Sequence, residues 1–279
     1  MTVQVRRMGP WIGAEVTGVD LRALDEATFA QVYRAWLDHA VIVVRDQQIT
    51  PAQYLDYCEG FGKVVPHPSK NTRHPEVPQI TLLGANKRRA DGSINMAIYA
   101  RGEGYHTDGS YEKVPYKATQ LYSVAIPSRG GDTLFASTYA AWDALPAALK
   151  ARLQGLQGAY IYGGRTADGI ERIEQQDRVT EPVLHPLARV HPETGRTALY
   201  FDPNKLLYIK GLPAAESDAL IEELRGYMIQ PDAVYRHQWR RGDAVIWDNR
   251  CTYHKAAADY PPEEERIHWR VSIQEWEAA

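Results

Sequence analysis

The chain has 279 residues, 44% hydrophobic and 24% charged, with a net charge of −3, which is ordinary for a globular protein and enough for one large domain with a sizeable core. Charges of both signs are interspersed, which argues against a partner such as nucleic acid or another polyanion. Only Cys58 and Cys251 are present, and no signal peptide or apolar run of about 18 residues is seen, so a reduced cytoplasmic compartment and no membrane partner are expected.

Residues 1–24 read as a short strand pair, turn-bounded at Gly13 and Gly18. Phe29, Val32 and Trp36 then recur at helical spacing over 25–39, with Asp25 and Glu26 near the start, where acids suit the helix dipole. The apolar run from Ala40 to Arg45 predicts a buried strand. Thr50 and Pro51 predict a helix start with Thr50 as its cap, and Gly62 ends that helix. Residues 63–77 are rich in Pro and basic side chains and read as a surface loop that can carry function.

A strand is expected over 79–83, and residues 84–104, with four Gly and little periodicity, read as a lid. Strands are expected over 117–125 and 132–136. Helices follow from Ser137 or Thr138, and from Pro146 to about Leu156. Further strands are expected at 158–162, around Pro182 and over 197–201, with a second irregular insertion at 163–180. A helix over 213–228 precedes strands at 233–239 and 243–247. There is no regular β-α-β alternation and no glycine-rich dinucleotide fingerprint. The pattern predicts a single domain, 1–279, that is mainly β: an antiparallel sandwich or jelly roll with attached helices.

His106 and Asp108 are two residues apart. In a β-strand, such residues point to one face, placing an imidazole beside a carboxylate. Two His and one carboxylate with open positions is the ligand set of non-haem Fe(II) oxygenases. On its own such a pair is more commonly a hydrogen-bonded couple than a metal site. His254, just after a strong strand, is the candidate for the second imidazole. Residues 266–274 alternate strictly: Ile267, Trp269, Val271 and Ile273 on one face, and Arg266, His268, Arg270, Ser272 and Gln274 on the other. Either that polar face is solvated, or its two arginines line an anion-binding cavity, for which the planar guanidinium fork is suited.

Four stretches together resemble the Fe(II)- and 2-oxoglutarate-dependent dioxygenases of the taurine dioxygenase / 2,4-dichlorophenoxyacetate dioxygenase family. They are His106-Thr107-Asp108, Gly130-Gly131-Asp132-Thr133, Trp247-Asp248-Asn249-Arg250 with His254, and Arg266 with Arg270. Residues 12–21, the Ala40–Arg45 strand and Phe61-Gly62 are also similar to the family. The resemblance implies a double-stranded β-helix (jelly roll) and iron held by His106, Asp108 and His254. It implies that Thr133 and Arg266 hold the distal carboxylate of 2-oxoglutarate, with Arg270 near both co-substrate and substrate anion. His67 and Lys70 fall where members contact the substrate's acidic group. Tyr105 stands where better-known members have Trp, and Gly102 where they have Asn. Tyr105 and Gly109–Tyr111, flanking the iron motif, are further candidates for contact with substrate.

The implied reaction consumes O2, releases succinate and CO2 from 2-oxoglutarate, and hydroxylates a substrate C–H. C–O or C–S cleavage follows where the hydroxylated carbon bears that heteroatom. The carboxylate at 108 favours hydroxylation over halogenation. The substrate expected is a small organic acid, such as an aryloxyalkanoate or a sulfonate, and a homo-oligomer (dimer or tetramer) is expected. The competing readings are a non-catalytic Fe(II)/2-oxoglutarate sensor of the same fold and a zinc-type hydrolase using the same ligands.

Overall fold

The structure, a computed structural model, describes residues 2–66, 72–85, 87–100, 102–164 and 181–276. The fold is mainly β, with helices attached. Its centre is a large sheet in the order β1 (Gln4–Arg7), β2 (Ala14–Thr17), β3 (Val41–Val44), β14 (Ala244–Asp248), β6 (Ala118–Ala125), β16 (Ile267–Gln274), β4 (Lys63–Val65), with β5 (Thr81–Leu83) also paired to β16. A smaller antiparallel sheet is built from β13 (Val234–His237), β7 (Thr133–Ser137) and β15 (Thr252–Ala256).

The alternation of side chains along a strand explains how these layers stack. Ile42, Val44, Ala244, Ile246, Val271 and Ile273 point to one side of the large sheet, where they pack with Val32 and Trp36 of helix α1 (Glu26–His39) and Tyr54 and Tyr57 of helix α2 (Pro51–Glu59). The intervening residues Val41, Val43, Leu121, Val245 and Trp247 point the other way, against Phe135 of β7 and Trp239. The central strands are therefore covered on both faces, which is why β3 is apolar throughout. A third apolar cluster joins helices α4 (Thr138–Asp143), α5 (Ala147–Leu153) and the helix Ala214–Arg225 to the sheet of β8 (Gln157–Tyr160), β9 (Val183–Pro186) and β12 (Leu206–Ile209).

The helix starts follow from local chemistry. Asp25 caps α1 by accepting from the Thr28 amide at 2.7 Å. Thr50 and Gln53 exchange side-chain-to-backbone hydrogen bonds at the start of α2, with Pro51 at its first position. Two expectations fail. The expected 63–77 loop opens with β4, and residues 206–209 form β12 where no strand was expected. Both are three or four residues long, too short for periodicity to register. Within the 84–104 insertion, a short helix, α3 (Met96–Tyr99), is tied down by Tyr99 Oη donating to the Ala258 carbonyl at 2.8 Å. Residues 165–180 of the second insertion lie outside the described residues. Cys58 and Cys251 are both buried free thiols. Among the described residues no helix is long and apolar enough to cross a membrane.

Where β14 ends, a charged network is centred on the buried pair Asp248 and Arg250. Arg250 donates to Asp248 at 2.9 and 2.7 Å, and also to Glu193 at 2.7 Å and Glu275 at 2.6 Å. Burial raises the Asp248 carboxyl, but Arg250 and His191 more than offset this and hold it well below the usual carboxylate range. A folded-state pKa below the unfolded value stabilises the fold above the unfolded carboxyl pKa of about 4, and that contribution is lost as the pH falls. Asp248→Asn should therefore cost about 3 kcal/mol in urea unfolding at pH 7, at the lower end for a broken buried pair because Glu193 and Glu275 still face Arg250. The difference from wild type should shrink as unfolding is measured at successively lower pH below about 4; a pH-independent difference would contradict the assignment.

Candidate active site

His106 does not sit in a strand as expected. A single antiparallel bridge, His106 to His254, brings the two together, with the His106 amide donating to the His254 carbonyl at 3.1 Å and the His254 amide to the His106 carbonyl at 2.9 Å. Asp108 follows in a turn. The backbone thus sets the imidazoles side by side, with ring centroids 4.3 Å apart and planes tilted by 48°. Asp108 Oδ1 lies 3.8 Å from His106 Nε2, and Asp108 Oδ2 lies 3.6 Å from His254 Nε2. One ligand atom from each of the three residues falls within 4.8 Å of the others.

The orientation of Asp108 is fixed by a directional relay. Trp247 Nε1 donates to Asn249 Oδ1 at 2.9 Å, Asn249 Nδ2 donates to Thr119 Oγ1 at 2.9 Å, and Thr119 Oγ1 donates to Asp108 Oδ2 at 2.8 Å. Arg270 Nη2 approaches the same oxygen at 2.9 Å. Oδ2 is thereby engaged by the protein, and Oδ1 is left facing His106. Burial raises the Asp108 carboxyl, but Arg270, His254, His106 and Thr119 outweigh it and hold it ionised. Burial and the adjacent His106 push His254 down to about 3, against the pull of Asp108, so this imidazole is neutral with a lone pair available. His106 Nδ1 lies 2.8 Å from the Gly104 carbonyl, which sets the proton on Nδ1 and leaves Nε2 as the free donor atom.

A second cluster, His191, Asp248 and Cys251, is equally compact but is used up internally. His191 Nδ1 accepts from the Glu193 and Thr194 amides, so Nε2 carries the proton and gives it to Asp248 Oδ2 at 2.9 Å. No lone pair is left on that imidazole for a metal. The first triad fits a divalent metal of the Fe(II) type; the second does not.

The triad opens into a cavity of about 440 Å³. Arg266, just before β16, and Arg270, on its polar face, both line the wall, so of the two readings of this stretch the solvated face is the wrong one. Arg266 Nε donates to the Gly131 carbonyl at 2.7 Å and its Nη2 to Thr133 Oγ1 at 3.3 Å. Burial lowers the Arg266 pKa to about 10, which leaves it charged at neutral pH. Burial works against the charge of Arg270 too, but Asp108 more than offsets it. Gly102 also lines the cavity, whereas Tyr105 and Gly109 are not among its lining residues. Tyr105 packs into the third apolar cluster with Lys255 over its ring, and Gly109 has φ +71 and is packed close to the Tyr116 ring. His67 and Lys70 lie outside the described residues. Tyr111, a sequence candidate for contact with substrate, does line the cavity. Thr119, Asn249, Tyr162 and Lys205 are not among the sequence candidates: the first two act on Asp108 through hydrogen bonds, and the others carry no spacing signal.

Gly131 has φ +72, and a Cβ there would meet Arg266 Cδ and Nε at 3.1 Å. Gly155 has φ +77 with nothing within 4 Å. Gly155→Ala should cost about 1 kcal/mol in denaturant unfolding from backbone strain alone. Gly131→Ala should cost more, roughly 2 kcal/mol; equal losses would show that Arg266 is not crowded.

A model of the family "Taurine catabolism dioxygenase TauD, TfdA family" matches residues 4–272. A (S)-phenoxypropionate/alpha-ketoglutarate-dioxygenase of Sphingobium herbicidovorans is 34% identical over 271 residues, covering 94% of this chain and 91% of that one. An alpha-ketoglutarate-dependent sulfate ester dioxygenase of Pseudomonas putida is 34% identical, covering 94% and 86%. The crystal structure of a taurine dioxygenase from Burkholderia xenovorans superposes with a TM-score of 0.81 at 30% identity, covering 99% of this chain and 90% of that one. The chain belongs to the TauD/TfdA family and is an oxidoreductase, a non-haem iron dioxygenase that uses Fe(II), 2-oxoglutarate and O2.

Proposed function

We propose that this dioxygenase hydroxylates a C–H bond of a small organic acid with an aryl or alkyl body, with His106, Asp108 and His254 as its metal ligands. The observation that carries the reading is that one cavity is lined by the triad, by Thr133 with Arg266, and by a separate cation, Lys205. Fe(II), when bound, supplies the O2 chemistry that couples decarboxylation of 2-oxoglutarate to substrate hydroxylation. Thr133 and Arg266 receive the distal carboxylate of 2-oxoglutarate, and Arg270, bridging to Asp108, holds positive charge beside the inner end of the cavity.

Substrate meets a different wall. Tyr111 and Tyr162 contact edge to face with centroids 4.8 Å apart, and Lys205 Nζ lies 5.1 Å from the Tyr162 ring centroid and 5.9 Å from that of Tyr111. Ile98, Tyr99 and Tyr260 add further apolar surface. An acidic group on Lys205 and a hydrophobic body against the rings suit an aryloxyalkanoate, a sulfonate or a sulfate ester, and the relatives named for phenoxypropionate and sulfate esters support that range. Where the hydroxylated carbon bears oxygen or sulfur, the product collapses with cleavage of that bond. The relatives' names also favour an enzyme over a sensor of the same fold.

Succinate release with Fe(II), ascorbate and 2-oxoglutarate across a panel of such acids tests the reading. Substrate-dependent release should fall by at least about 100-fold in His106→Ala, since even the groups that merely orient metal ligands are worth 10–100-fold, and full turnover by that variant would remove His106 from the site. Lys205→Ala should raise KM for the acid that is turned over best by about tenfold or more, the worth of one charged hydrogen bond; an unchanged KM would place the acidic group elsewhere.

A further inference from the structure

Trp239 lies behind the cavity wall and is not among the lining residues, whereas Thr133 is. The indole Nε1–H donates to Thr133 Oγ1 at 3.0 Å, and Arg266 Nη2 donates to the same oxygen at 3.3 Å. A hydroxyl oxygen has two lone pairs and one hydrogen. With both lone pairs engaged by N–H groups, the only thing left for Thr133 to offer is its hydrogen. A side chain that otherwise donates or accepts is thereby made a donor, and a donor selects an anionic acceptor.

Trp239 is itself clamped. His237 meets its ring perpendicularly with centroids 4.4 Å apart, and His268 meets it from β16, also at 4.4 Å, with an interplanar angle of 65°. Both imidazoles are fully buried. Neither ring nitrogen of His268 has a hydrogen-bond partner, an arrangement that is costly for a buried polar group. Burial pushes His268 far below its ordinary range, with Arg266 adding to the effect, so it remains a neutral ring. The fold thus keeps a costly group where its ring packs against Trp239.

We propose that Trp239, held between His237 and His268, is a positioning residue that fixes Thr133 as a hydrogen-bond donor and so sets the cavity's preference for 2-oxo diacids over 2-oxo monoacids. The proposal rests on the reading that Thr133 and Arg266 receive the distal carboxylate.

The test is equilibrium binding to the Mn(II)-loaded full chain by calorimetry, with 2-oxoglutarate and with 2-oxobutyrate, which lacks the distal carboxylate. Trp239→Phe keeps an aromatic ring between the imidazoles and removes the donor. It should weaken 2-oxoglutarate roughly tenfold, about one hydrogen bond to a charged group, and shift 2-oxobutyrate by less than about twofold. In a Thr133→Ala background, the same substitution should add less than about twofold, because the coupled partner is already gone. Equal weakening of both acids, an undiminished effect in the Thr133→Ala background, or unchanged 2-oxoglutarate affinity would each overturn the proposal. If wild type itself binds no 2-oxoglutarate, the underlying reading fails and takes the proposal with it. Should Trp239→Phe not fold, hydrogen exchange of the Trp239 indole N–H decides: roughly tenfold faster exchange in Thr133→Ala than in wild type supports the bond, and equal rates overturn it.

Discussion

A carboxylate taken out of water costs several kcal/mol unless it is paired and hydrogen-bonded, and Asp108 meets that requirement from one side only. Thr119 and Arg270 both engage Oδ2. The partition decides what the site can do. An oxygen saturated by protein donors has little to give a cation, and the other oxygen, unsaturated and facing the His106 imidazole, has a great deal. The relay from Trp247 through Asn249 and Thr119 makes this asymmetry rigid, because each member has its donor and acceptor assigned by the one before it. Asn249 also accepts at its carbonyl from Thr107 Oγ1 at 2.8 Å, so the residue between the two ligands is fastened to the same strand end as the relay.

The large sheet explains how so much polarity survives inside. Its outer face is closed by α1 and α2 through apolar contacts, and its inner face would be equally apolar if the small sheet covered it completely. The small sheet packs over β3 and most of β14, whose Trp247 reaches the cavity. At β16 the inward positions change to Arg266, His268, Arg270 and Ser272, and there the two sheets part around the cavity. A single strand thereby supplies core on one face and the cavity wall on the other, with Val271 and Ile273 anchoring it from behind.

That division was legible in the sequence as strict alternation, and so was the mainly β character of the fold. What alternation could not say is whether the polar face of 266–274 meets water or a cavity, since both give the same period. The His-x-Asp spacing pointed to a shared face for a reason the structure does not use: the residues are held by one bridge and a turn, not by a strand. Caps at Asp25 and Thr50 were readable because capping is local. Thr119, Asn249 and Trp239 were not, because each acts through a partner that is distant in the chain: Thr119 on Asp108 across 11 residues, Asn249 on Thr119 across 130, Trp239 on Thr133 across 106. A hydrogen bond between such positions leaves no periodic trace, and Thr, Asn and Trp are common enough in strands and turns to pass as ordinary.

The charge balance of the cavity gives the last step. Among the described residues its wall carries three cationic side chains, Lys205, Arg266 and Arg270, against the one carboxylate of Asp108. Of the three cations, only Arg270 is neutralised by that carboxylate. A cavity wall with more cations than carboxylates favours anions before any specific contact forms, and a bound cation at the triad would strengthen that bias. Under the proposed function, a dianionic 2-oxo acid relieves it at one end, through Arg266. The positive charge on Lys205 stays beside the Tyr111 and Tyr162 rings, and under the proposed function two distinct cations allow one cavity to receive two acids.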